Sequence, residues 1–551
     1  MRNRTHLKVF SLVAVCGVAV ALLIWLQSPP VSEITPTPPI TAAPRVEEPR
    51  TEQIESTPES RREARKAQTD AKLMRKLSQA LERKDARPNE LILGFKDAAA
   101  LRRFLERAGR AGVSVLKQLD RLKLVRVQLN DRSAFEDDLN EHGNDYADLD
   151  ANLLVFPPTV PQQDERVAGA QVPFSNGVAE FLGMSGDASQ WGNGVTIAVV
   201  DSGVGADATF GPGKVRYLDV GMGIYPASDD GHGTGVAALI SGHSADALGV
   251  AQGADVLSIR VTGADGLSDG FTLMQAIMAA ADNGARIINI SMGSYGSGVG
   301  LASAIEYAKS LGAVVVASAG NDQANQLTWP AAYPGVVSVG AVDANGKQVI
   351  FSNSGDGLSI TAPGYGVPTA WSGNQRVLAD GTSFSAPIVS GSIAAMMTVY
   401  PGITPARAWE ILQQTASDGG PAGVDPDYGA GTINLTWAQH INDPSWFDTA
   451  ISSHYVNPAT GNFDVVVQNR GGAGVNGMKL NVEVNGDGRN FDIPWLAPGA
   501  IYVASVPIDA NELMEKGRLD FTSELKNPSG QNDAVPKNNW KGSSISIPTS
   551  K

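Results

Sequence analysis

The feature that most constrains this chain is a set of short, apolar, β-rich runs recurring through its middle. They fall at residues 194–200, 255–261, 287–290, 313–317 and 336–339. The first, GVTIAVV, is too uniformly apolar for a strand with one wet face, which predicts a buried parallel strand. Helical runs lie between the strands, at 272–283 and 301–311. Strand and helix alternating in this way predict a doubly wound α/β sheet. In such sheets the ligand crevice forms at the carboxyl ends of the strands, and Asp201 stands at one of those ends.

Three further segments sit at comparable places. Gly231-His232-Gly233-Thr234-Gly235 opens a helix, with glycines beside one of only six histidines. Gly320-Asn321 follows the strand at 313–317. Gly381-Thr382-Ser383 precedes a small, apolar run that reads as a buried helix, with Pro387 suited to its first turn. Ser383 then lies at a helix N-terminus, beside unpaired N–H groups and the positive end of the dipole. Singly, each segment has an ordinary structural reading as a turn residue, a helix start, a turn amide or an N-cap.

Together and in the order Asp, His, Asn, Ser, they resemble the subtilisin-like serine peptidases, over about residues 181–435. The resemblance implies Ser383 as nucleophile, His232 as general base and Asp201 as the group that orients the imidazole. It implies an oxyanion hole from the Asn321 side chain and the Ser383 N–H. It also implies a peptide cleft. Gly266-Leu267-Ser268 and Ser291-Met292-Gly293 would be the edges between which a substrate adds as a strand. Ser318-Ala319-Gly320 would wall the pocket before the scissile bond, with Thr328 near its floor. The chain departs from the common pattern in three places. Gly235 and Ala238 stand where many relatives carry histidine and glycine, and Phe384 stands where methionine is usual.

The flanks differ in character. Arg2, Arg4 and Lys8 precede an uncharged apolar run, 9–26, long enough to cross a bilayer. Positive charge before it and none after it until Arg45 predict a membrane anchor with the rest of the chain extracytoplasmic, periplasmic or at the cell surface. A cleaved signal peptide is the alternative. Residues 28–87 read as a Pro-, Thr- and Glu-rich disordered linker, with helical spacing of Leu73, Leu77 and Leu81. Residues 88–160 have a β-α-β pattern that resembles the family's inhibitory propeptide. The catalytic domain is then expected at 161–440. From 441 to 551, alternating strands at 462–468, 478–484, 500–506 and 517–522 predict an antiparallel β-sandwich similar to adhesion modules.

Composition excludes several function classes. A net charge of -14 leaves no basic surface for nucleic acid. The single cysteine, Cys16, lies in the N-terminal apolar run, so neither an internal disulfide nor a cysteine nucleophile in the soluble part is expected. No cofactor is required and no metal ligand set is predicted. Structural calcium is compatible but not located; Asn485-Gly486-Asp487-Gly488 offers oxygen ligands that could attract it, and reads first as a hairpin turn. An α/β-hydrolase esterase fails, because its elbow needs G-x-S-x-G and the fifth position here is Ser385. The competing function is a catalytically silent surface protein acting through its β-sandwich. The expected partners are a peptide or protein substrate, the chain's own propeptide-like module as inhibitor, and the membrane through residues 9–26.

Overall fold

The computed structural model describes residues 58–157, 171–184, 187–226 and 230–547. The apolar run at 9–26, the tract up to residue 57 and the connector at 158–170 lie outside them.

The first body begins earlier than its sequence pattern suggests. Helix α1 (Pro58–Glu82) precedes strand β1 (Ala86–Phe95), helix α2 (Ala98–Arg107), strands β2 (Val113–Leu119) and β3 (Leu124–Leu129), helix α3 (Arg132–His142) and strand β4 (Tyr146–Val155). Asp97 and Asp131 cap α2 and α3 through their carboxylates, as short polar residues before an apolar face do. Leu73, Leu77 and Ala80 of α1 are buried with Phe104, Phe135 and Tyr146. The end of the tract expected as linker is therefore part of this core.

The central body carries a parallel seven-stranded sheet. Its strands are β5 (Thr196–Asp201), β6 (Val215–Tyr217), β7 (Asp255–Arg260), β9 (Ile287–Ile290), β10 (Val314–Ser318), β11 (Val337–Val342) and β12 (Ile360–Pro363). Their spatial order is β12-β11-β10-β9-β5-β7-β6. Successive residues of each strand face opposite layers. Ile197, Val199, Val314 and Val316 pack with helix α4 (His232–Ser241) and helix α7 (Thr382–Val399). Ala198, Val200, Ile288 and Ile290 pack with helices α5 (Gly270–Asp282) and α6 (Leu301–Ser310). Both sheet faces are thus covered, which accounts for the uniform apolarity of the runs. Helix α7 is the one described helix long and apolar enough to cross a membrane, but 83% of it is buried as the central core helix.

Helix α7 also corrects one expectation. It starts at Thr382, so Pro387 lies inside it rather than in its first turn.

The C-terminal body has two antiparallel sheets rather than four strands alone. One holds Thr449–Asn457, Asn462–Asn469 and Ile501–Pro507; the other holds Lys479–Val484, Asp487–Asp492, Arg518–Lys526 and Trp540–Ser546. Phe463, Val465, Leu480, Val506 and Phe521 fill the space between them. Asn485 and Gly486 both have positive φ and connect two paired strands, as a tight hairpin requires. The sandwich docks on the central body through Gln468, whose side chain bonds to the Ala416 carbonyl at 3.3 Å and the Asp418 N–H at 3.4 Å. Ser453 donates to the Gly420 carbonyl at 2.7 Å.

Candidate active site

Asp201 ends β5 and His232 begins α4, so both stand at the carboxyl edge of the parallel sheet. His232 Nδ1 lies 2.8 Å from Asp201 Oδ1. The same carboxylate oxygen accepts the Ser202 N–H at 2.7 Å. Asp201 is fully buried, and the His232 side chain is 13% exposed. The glycines around His232 permit close approach: a Cβ at Gly233 would lie 2.4 Å from the Gly203 carbonyl oxygen, and one at Gly231 would strike Trp371.

Burial pushes the His232 pKa down, but the Asp201 charge and hydrogen bond outweigh it, with Asp230 adding to them. The net shift is upward. His232 Nε2 is buried without a hydrogen-bond partner among the described residues.

Ser383 is the second residue of α7, directly after Gly381 and Thr382. Gly381 has φ 139°, a conformation that favours glycine. The Ser383 hydroxyl donates to the Ser291 carbonyl at 3.3 Å. Asn321 lies beside the same helix start, and its Oδ1 accepts from the Thr382 N–H at 2.9 Å and the Thr382 hydroxyl at 2.8 Å. A backbone N–H can only donate, so this pairing fixes which amide atom is the oxygen. The Asn321 Nδ2 is left on the Gly381 side, 2.9 Å from where a Gly381 Cβ would be.

The departures from the common pattern meet in space. The Phe384 ring lies 5.3 Å from the His232 ring, tilted by 56°. A Cβ at Gly235 would stand 3.3 Å from Phe384 Cε1 and 3.1 Å from the Ala370 carbonyl oxygen. The bulk at 384 and the lack of a side chain at 235 are therefore complementary.

The predicted cleft residues divide. Ser268, in strand β8 (Ser268–Asp269), pairs with Val155, and Asp269 pairs with Leu154. On the other side Phe156 and Gly293 exchange both backbone bonds, at 3.2 and 3.1 Å. Residues 154–156 of the N-terminal body thus run as an extended strand between the two segments. Met292 is buried in the same apolar cluster as Val155. The Leu267 carbonyl accepts from Arg87 of the N-terminal body at 3.3 Å and from the Gly263 N–H at 2.8 Å, and Gly266 is exposed in that turn. Thr328 donates to the Ser318 carbonyl at 3.2 Å and to the Ala319 carbonyl through its N–H at 2.9 Å. Cβ atoms at Gly293 and Gly320 would each come within 3.0 Å of the Thr328 side chain, so these residues do form one wall.

Two residues of this wall carry no motif. Fully buried Asn353 accepts from the Asp322 and Ala324 N–H groups and donates to the Gln326 carbonyl and the Tyr295 hydroxyl. Tyr295 in turn donates to Asp322. Burial, with that hydrogen bond, pushes the Tyr295 pKa up to about 12. A lone Asn in a Ser/Gly stretch gives no sequence signal for such a role.

Among the described residues no cluster of three His, Cys, Asp or Glu could hold one metal ion.

The comparisons identify the family. The subtilase family model matches residues 192–431. Subtilisin BL of Lederbergia lenta is 33% identical over 253 residues, which is 44% of this chain and 90% of that protein. An alkaline protease of Alkalihalobacillus alcalophilus is 28% identical over 365 residues, 62% of this chain and 89% of the relative. Fervidolysin from Fervidobacterium pennivorans, described as a keratinolytic enzyme related to subtilisin, superposes with a TM-score of 0.56 at 22% identity. That match covers 85% of this chain and 77% of the other, and it is a likeness of fold.

Proposed function

Since the chain belongs to the subtilase family and is a serine endopeptidase of the subtilisin-like type, we propose that Ser383, His232 and Asp201 are its catalytic triad and that it is made as a self-inhibited precursor. The observation that carries the triad is the 2.8 Å contact between His232 Nδ1 and Asp201, at the sheet edge that also holds Ser383 and Asn321. With Asp201 on Nδ1, the proton of that nitrogen is fixed and Nε2 is the basic one. The Ser383 hydroxyl turns from the Ser291 carbonyl to Nε2, passes its proton there, and its oxygen attacks the substrate carbonyl carbon. The developing oxyanion is met by Asn321 Nδ2 and the Ser383 N–H at the head of α7. The proton on His232 then goes to the leaving amine, and water hydrolyses the acyl-enzyme by the same path.

The inhibitory reading rests on the strand at 154–156, which occupies the cleft as a substrate would. Around it, buried Asp269 caps α5 with one oxygen, while the other faces Arg126 at 3.2 Å and Arg87 at 3.7 Å. Arg126 is also paired with Glu90, and Asn152 accepts the Phe271 N–H. The N-terminal body is thereby tied to the enzyme by charge as well as by strand pairing. Asp269→Asn keeps the cap and removes the ion pairs. It is expected to weaken inhibition by the severed N-terminal body by roughly 2 kcal/mol, or about 30-fold in inhibition constant. A constant within about twofold of wild type would assign the hold to the strand alone.

Self-processing is expected once between residues 156 and 174, which would also free the catalytic part from an anchor at 9–26 in an extracytoplasmic location. N-terminal sequencing of purified wild type and Ser383→Ala tests this. Cleavage of the variant at the same position would show that another protease does the processing.

The raised His232 pKa sets the pH profile. The base must be neutral, so activity rises with pH through a midpoint above the ordinary value of about 6.5 and persists into alkaline solution. Measuring kcat/KM on a small peptide from pH 4 to 10 checks it. A midpoint well below 6 would remove His232 from the role of base.

A further inference from the structure

Pro387 stands four residues after Ser383 within α7. In an uninterrupted helix the N–H of residue 387 would bond to the Ser383 carbonyl, and proline has no N–H. That carbonyl is buried with its residue, which is 1% exposed, and needs another donor. Ser291 supplies it, its hydroxyl donating to the Ser383 carbonyl at 2.8 Å. The Ser291 hydroxyl in turn accepts from Asn289 Nδ2 at 3.0 Å, and Asn289 Oδ1 accepts from the Ser390 hydroxyl at 2.9 Å. Ser291, Asn289 and Ser390 are all 0% exposed. The result is a closed polar chain from α7 through the end of β9 and back to α7.

We propose that Ser291, oriented by Asn289 and Ser390, is a positioning residue for Ser383. It acts through the backbone carbonyl that Pro387 leaves without a helical partner. This rests on Ser383 being the nucleophile. The tether fixes the 383–384 peptide unit and, through the Ser383 Cα, the residue that carries both the attacking hydroxyl and the oxyanion N–H. A small displacement there costs rate, because attack needs near-contact alignment. The role belongs to the Ser291 side chain and is separate from the strand-edge role of its backbone.

The test uses full-length, self-processed protein, with active sites counted by a fluorophosphonate probe and hydrolysis measured on a peptide anilide. Ser291→Ala is expected to lower kcat per titrated site about 10- to 100-fold with KM within twofold of wild type. The pH midpoint should not move. Ser291→Thr, which keeps the hydroxyl, should recover most of the loss. Pro387→Ala added to Ser291→Ala should also recover several-fold, because it restores an N–H to the Ser383 carbonyl from within the helix. A kcat per site for Ser291→Ala within twofold of wild type would overturn the proposal. So would a Ser291→Ala/Pro387→Ala double variant no faster than Ser291→Ala. Failure of the underlying reading looks different: Ser383→Ala would then retain hydrolysis, whatever happens at Ser291. Should Ser291→Ala not accumulate, Asn289→Ser and Ser390→Ala test the same chain from its far end. Both are expected to lower kcat with KM unchanged, and unchanged kcat in both would count against it.

Discussion

His232→Ala is expected to lower kcat by about 10⁶-fold, the magnitude known for subtilisin itself, with substrate binding little changed. The size follows from the arrangement: without the imidazole nothing at the sheet edge accepts the Ser383 proton. Asp201→Asn is expected to cost less, about 10⁴-fold. The amide would present its NH₂ to Nδ1 and hold the imidazole in the wrong tautomer, though the position stays filled. Steady-state kinetics on a peptide anilide, with folding checked by circular dichroism, measures both. A His232→Ala enzyme within about 100-fold of wild type would mean that another group serves as base.

Asn321→Ala is expected to lower kcat by roughly 10²- to 10³-fold with KM nearly unchanged, because the lost donor binds charge that exists only in the transition state. Asn321 Oδ1 is held by both the N–H and the hydroxyl of Thr382, so the carboxamide is fixed before substrate arrives. Asn321→Asp separates donor loss from loss of shape. It keeps the contacts to Thr382 but aims a charge at the oxyanion, and should be at least as slow as alanine. An aspartate variant near wild-type speed would remove Asn321 from the oxyanion hole.

Much of the central body was legible because its strands are buried on both faces. The run at 287–290 coincides with β9, and the runs beginning at 255, 313 and 336 start within one residue of β7, β10 and β11. The four motif segments were legible because they combine rare chemistry with glycine. What escaped was what depends on contacts between distant residues. Strand β2 buries only Val113 among its first six residues, so it carries no alternation to read. The ion network of Arg107 with Asp138 and Asp145 joins α2 to residues some thirty to forty positions on, and local spacing cannot show it. Helix α1 looked like linker because its surface is polar, and only its three or four core positions reveal the packing.

The position of Pro387 illustrates a different limit. Proline favours the first turn of a helix, so Pro387 was read there, with Ser383 at the helix N-terminus. The helix does begin beside Ser383, at Thr382, but Pro387 lies beyond the first turn, and its missing N–H is answered by Ser291 at the end of β9. The sandwich was legible in kind through its alternating strands. Its attachment through Gln468 was not, because a glutamine in a strand signals nothing until the Ala416 carbonyl and Asp418 N–H are seen opposite it.

The central claim is that Ser383 is the nucleophile of a triad completed by His232 and Asp201. Fluorophosphonate labelling of the processed enzyme, followed by peptide mapping in the mass spectrometer, tests it most directly. One phosphonyl group per chain on Ser383 is predicted, with none incorporated by Ser383→Ala and labelling of His232→Ala slowed by orders of magnitude. Stoichiometric labelling at another residue, or undiminished labelling of Ser383→Ala, would contradict it.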